Sequence, residues 1–145
     1  MDILEEYRGE SDQTICVAGT IILAVKICEV DGHFSLYEKD EILKTFPTDD
    51  QSTKKAILDI IDKASKDKHD VKYHAERIKK FVDSNHTDFL DFIIATLIKF
   101  AKADHHFHDK EKDLILEVIK IFERDREKNT LIFKIKKNLG FKKNN

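Results

Sequence analysis

Turn-forming residues and the largest aromatic are scarce in this chain: four Gly, one Pro and no Trp occur among its 145 residues. So little turn chemistry argues against a turn-dense β-sandwich, and the richness in Lys, Glu, Asp, Ile and Leu argues for helices. Cysteine is nearly absent as well. If Cys16 and Cys28 share one helix, about 18 Å of axis separates them, too far for a disulfide. Both read as small buried hydrophobes in a reducing compartment. Long hydrophobic runs are missing too: the longest uncharged one, Ile15 to Val25, falls well short of the roughly 20 residues that span a bilayer. The opening Met-Asp-Ile-Leu-Glu-Glu has no basic region ahead of an apolar stretch and does not read as a secretory signal. The expectation is a cytoplasmic protein with no transmembrane segment.

What is present is enough for one core. At 145 residues, with 41% hydrophobic and 37% charged residues, the chain suits a single domain spanning residues 1–145 with a well-solvated helical surface. The net charge of −2 conceals an asymmetry. All 28 acidic residues precede position 128, whereas residues 128–145 carry six Lys and no acid. A basic helix with Leu131, Ile135 and Leu139 beside Lys134, Lys136, Lys137, Lys142 and Lys143 suits peripheral contact with an anionic membrane or an acidic protein partner. The plainer alternative is that these lysines complement a helix dipole and aid solubility. Without aromatic interleaving or a large basic face, nothing points to nucleic acid.

The chain also repeats itself. Residues 21–43 align without a gap on residues 94–116 at an offset of 73, with ten of 23 positions identical. The matches include Lys26/Lys99, Asp31/Asp104, His33/His106, Phe34/Phe107 and Glu38/Glu111. Two pseudosymmetric helix-loop-helix repeats, about 12–66 and 87–140, are therefore expected. Each begins with a helix apolar almost all round: Lys26 and Glu29 are the only charges between Ile15 and Val30, and Asp91 and Lys99 the only ones between Phe89 and Ala101. Such helices need cover on every face, which predicts two central buried helices in an all-α bundle of about seven.

Further helices are expected at 36–46, from a Ser35/Glu38 capping box to Pro47, and after a Thr48/Gln51 box, with Ile57, Ile60, Ile61 and Ala64 on one face. Another is expected at about 69–83, through Val71, Ala75, Ile78 and Val82. Leu114, Val118, Ile121 and Phe122 mark one helix and Leu131, Ile135 and Leu139 the last, with a short extra helix at residues 2–8.

Each central helix ends in Asp-x-His-Phe, with Glu four residues after the Phe. Asp31-Gly32-His33-Phe34-Ser35-Leu36-Tyr37-Glu38 is one copy, and Asp104-His105-His106-Phe107-His108-Asp109-Lys110-Glu111 the other. This pattern resembles the TerB family, known from bacterial tellurite-resistance operons and from the amino-terminal regions of some membrane-bound DnaJ-type co-chaperones. That family's signature is an apolar helix ending in Ala-Asp-Gly, a small apolar residue, and Glu at the start of the next helix, present twice. The resemblance runs from about residue 12 to 140. It implies an all-α fold of about seven helices, a cytoplasmic bacterial protein, a role in stress or metal resistance with divalent-cation binding by the acidic residues, and no enzymatic activity. His105 departs from the usual Gly, and Phe34 and Phe107 are larger than the commoner aliphatic residue.

Physically, each copy can be a well-built corner. Gly32 supplies the exit turn, Phe34 and Phe107 staple into the core, Ser35 caps, and Glu38 accepts backbone N–H bonds at a helix start. The sharper alternative is a cation site. One loop alone offers too few oxygens for calcium, but Asp31, Glu38, Asp104 and Glu111 brought together would suit Ca, Mg or Mn. His105, His106 and His108 beside Asp104 and Asp109 suggest Zn or Ni instead. A third, weaker alternative is a metal-dependent phosphohydrolase, from the His69-Asp70 dyad with His33 upstream. No Glu-x-x-His, His-Glu-x-x-His, phosphate-binding Gly-rich loop or Gly-x-Ser-x-Gly occurs, which removes di-iron bundles, zincins, P-loop enzymes and α/β-hydrolases. The expected function is a non-enzymatic binding module, with an unidentified protein partner, that takes a divalent cation through its paired acidic loops; the alternative is a metal-independent protein- or membrane-interaction module.

Overall fold

The computed structural model describes residues 3–31, 36–82, 87–103 and 109–124, and they form six α-helices and no strand among the described residues. These are α1 (Asp12–Cys28), α2 (Leu36–Thr45), α3 (Gln51–Lys66), α4 (Val71–Phe81), α5 (Thr87–Ala103) and α6 (Asp109–Phe122). A 3-10 turn over Ile3–Tyr7 precedes α1 and another, Glu29–Asp31, follows it. The helix expected through Leu131, Ile135 and Leu139 lies outside the described residues. The expected helix at 2–8 is the first 3-10 turn.

Helix α1 is the axis of the bundle. Every residue from Ala18 to Cys28 is buried, because α5, α3 and α4 press on it most closely while α2, α6 and the amino-terminal turn fill the remaining angles. Its all-round apolar character thereby finds the cover it needs. Ile21, Ile22, Leu23 and Val25 are fully enclosed, and each such side chain contributes about 1.5–3 kcal/mol through burial. Gly19 permits the close approach of α4: a Cβ there would stand 3.1 Å from both Cγ1 and Cδ1 of Ile78. Cys16 and Cys28 are both buried and free within α1, and burial pushes the Cys16 thiol up to about 12.

Helix α5 departs from the expectation of complete cover. Leu90, Ile93, Ile94, Leu97 and Ile98 are buried, but Phe92, Ala95 and Lys99 remain exposed. α5 packs chiefly on α1, α6 and α2, and those neighbours leave one stripe at the surface.

The two apolar helices run side by side in the same direction. Near their starts the Cys16 thiol approaches the Phe89 carbonyl at 3.4 Å. Further along, Thr20 and Ala24 of α1 face Thr96, Leu97 and Phe100 of α5 across a small half-open cleft that Ile42 and Phe46 also line. The carboxyl ends of α1 and α5 therefore lie at the same end of the molecule. α2 and α6 begin at Leu36 and Asp109, the same offset that separates the sequence repeats.

Helix starts obey local chemistry. Ser11 caps α1 by accepting from the Thr14 N–H. Asp50, not Thr48, caps α3: its side chain accepts from Thr53, while the Thr48 hydroxyl accepts from the Asp50 N–H. Asp70 caps α4 by accepting from Tyr73. The amino-terminal turn is pinned by burial of Ile3 and Leu4 and by ion pairs from Glu6 to Lys63 at 2.6 Å and from Glu5 to Arg77 at 2.6 Å. Gly9, at φ +89°, supplies the left-handed step that leads from this turn into α1.

Candidate functional site

The repeated corners stand where α1 and α5 end and α2 and α6 begin. Asp31 closes the 3-10 turn after α1. Glu38 and Glu111 are each the third residue of their helix, where a carboxylate complements the positive end of the helix dipole. Their surroundings differ: Glu111 is only 3% exposed, whereas Glu38 is half-buried. A buried carboxylate requires compensating partners. Gly32, Phe34, Ser35, Asp104, His105, His106, Phe107 and His108 lie outside the described residues, as does the side chain of Asp31.

A second polar constellation, without a counterpart in the repeat, occupies the corner between α3 and α4. The Asp67 carboxylate is gripped from two sides, by His74 Nε2 at 2.5 Å and by His69 Nδ1 at 3.0 Å. Burial alone would raise its pKa, but the hydrogen bonds from His74 and His69 outweigh that and hold the carboxyl below its ordinary value. Because an ionised carboxylate only accepts, both ring nitrogens donate. His69 stacks on Tyr73 with centroids 3.8 Å apart, and the His74 ring meets Tyr73 edge-on. Suitable ligand atoms of Asp67, His69 and His74 all lie within 4.8 Å of one another.

The His69-Asp70 dyad thus divides: His69 turns to Asp67, while Asp70 spends its carboxylate on the α4 cap. Sequence reasoning passed over Asp67 and His74. The available signal was position 74, which the period of Val71, Ala75 and Ile78 places on the buried face of α4, where an imidazole is out of character.

The described residues form an all-α bundle in which two parallel apolar helices, α1 and α5, end at the same end of the molecule. The family model described as Tellurite resistance protein TerB matches residues 18–132, and the chain belongs to the TerB family. Searches of curated proteins and of solved structures returned no significant match. Among the described residues no helix is long and apolar enough to cross a membrane.

Proposed function

We propose that this chain is a non-enzymatic TerB-type binding module of the stress- and tellurite-resistance kind. In this reading it takes a divalent hard cation, Ca, Mg or Mn, between Asp31, Glu38, Asp104 and Glu111, and engages a protein partner through the loaded end. The observation that carries the proposal is the parallel course of α1 and α5, which brings both helix exits to one end of the bundle. Four carboxylates from two corners approach the oxygen-rich coordination that hard cations require, which neither corner alone can supply. The third-position placing of both Glu38 and Glu111 supports the reading, and the low exposure of Glu111 suits a carboxylate aimed inward. The cation would supply the charge balance that four clustered carboxylates need, and the chain's own part is to hold those groups at helix termini.

Titration calorimetry of the full chain with Ca2+, Mg2+ and Mn2+ is the test. Binding should be seen with at least one ion and be abolished or weakened at least about ten-fold by Asp31→Asn and by Asp104→Asn. Heats that both variants leave unchanged, or no heat with any of the three, would sink the cation proposal and favour a metal-independent module acting through its acidic surface and basic carboxyl-terminal segment.

A further inference from the structure

We propose that Asp67, His69 and His74 form a second, separate metal site at the α3–α4 corner, for zinc or a similar borderline divalent ion. The donor set is one carboxylate and two imidazoles, the set such ions favour and calcium or magnesium do not. Tetrahedral coordination with bonds of about 2.0–2.1 Å places donor atoms roughly 3.3 Å apart. His69 Nδ1 lies 3.0 Å from Asp67 Oδ1 and His74 Nε2 lies 2.5 Å from Oδ2, and with one ligand atom from each residue all within 4.8 Å of one another, no separation has to change by more than about 1.5 Å. Three protein ligands leave a fourth position for water.

Asp67 does part of the work of the corner, its carboxylate accepting from the His69 backbone N–H at 3.1 Å, but the two imidazoles are not needed to finish it. The α3 carbonyls are already served by Lys26, whose ammonium donates to Asp67 O at 2.7 Å and Ala64 O at 3.4 Å. The α4 amino terminus is served by Asp70. His74, 1% exposed, instead presents an imidazole to Asp67 from the apolar face of α4, where an aliphatic residue would pack at lower cost. His69 is oriented by its stack on Tyr73 and is half exposed, which gives an ion a route in from solvent. The Lys26 ammonium points at backbone carbonyls and is balanced by Glu29 at 3.0 Å.

Proton accounting is simple. The ion takes the places of the two ring protons aimed at Asp67. Each neutral imidazole then carries its proton on its other nitrogen, and any imidazolium releases one proton to solvent.

Zn2+ titration of the full chain, with Co2+ absorption as a probe of coordination geometry, tests the site. One ion per chain should bind, and cobalt should show the visible bands of a tetrahedral ion. His69→Ala, at a half-exposed position that does not threaten folding, should weaken zinc binding at least about ten-fold, the lower end of what even an outer hydrogen-bonding partner of a ligand costs. His74→Gln should do the same. The triple variant His105→Ala/His106→Ala/His108→Ala should keep this binding. Zinc binding that survives His69→Ala but is lost in the triple variant overturns the proposal and assigns zinc to the second loop. Absence of any zinc binding overturns it too. Neither result bears on Ca2+, Mg2+ or Mn2+ at the acidic corners.

Discussion

Lys26 and Lys99 hold equivalent positions in the repeat and do different work. Lys26 is buried, its ammonium closing the carboxyl end of α3 and pairing with Glu29, whereas Lys99 is exposed on α5. Identity at the offset of 73 made them look alike. Only the placing of α3 against α1 distinguishes them, and nothing local in either segment encodes that.

The amino-terminal turn has a residue-level signature of its own. The hydrogen bond from Arg8, aided by Arg77 and opposed by partial desolvation, holds the Glu5 carboxyl down at about 2, from an ordinary 4.5. A depressed folded-state pKa stabilises the fold above the unfolded value, and the contribution drains away as pH falls through the folded value. The melting temperature of the natural chain should therefore exceed that of Glu5→Gln by a constant amount above about 4.5, and the gap should close between 4.5 and 2. A gap that does not change across this window in a series of thermal melts would show that the Glu5–Arg8–Arg77 cluster contributes nothing to stability.

Elements were the most legible level. Helical period placed Ile57, Ile60, Ile61 and Ala64 on one face of α3 and Val71, Ala75 and Ile78 on one face of α4, and all are buried. Caps were less so, because Thr48 and Asp50 are both good capping residues and only backbone geometry chooses Asp50. The exposed stripe of α5 through Phe92 and Ala95 was illegible for a related reason: an apolar residue records that burial is affordable, not that a neighbour is there. Contacts between elements leave no period at all. Gly19 reads as a helix-weakening residue, and its use appears only where Ile78 crosses it. Gly19→Ala gains about 1 kcal/mol of helix propensity and meets an overpacking cost of about 1–3 kcal/mol, so a net loss near 1 kcal/mol is expected in denaturant melts. In an Ile78→Ala background, which removes both the Cγ1 and the Cδ1 atoms at 3.1 Å, the same change should no longer cost stability. Equal losses in both backgrounds would mean that the two residues are not coupled.

At the scale of the molecule, the duplication was visible in the residues and the arrangement was not. Asp31, Glu38, Asp104 and Glu111 could be named from spacing, but whether their corners share an end of the bundle depends on how α1 and α5 are packed, and composition cannot express that. The Asp67–His69–His74 cluster was hidden for the opposite reason. It occurs once, outside the repeat, and a period within one helix cannot show it, because Asp67 and His69 lie in the connection between α3 and α4 while His74 lies within α4.

The parallel pairing of α1 with α5 has a consequence for how the protein folds. Antiparallel neighbours in an up-and-down bundle meet across a short loop, whereas Cys16 meets Phe89 from 73 residues away, after three intervening helices. Contacts so distant are slow to form, because the entropy of closing the chain is lost before the contact rewards it. Leu97→Ala, which opens a cavity near this seam, should cost about 2–5 kcal/mol and express most of that loss as faster unfolding, with refolding nearly unchanged in stopped-flow chevrons. Slower refolding by the full amount would place the seam in the transition state. If the seam does close last, α1, the most apolar of the described helices, waits longest for its cover, and its exposed flank is the surface through which unfinished copies would aggregate.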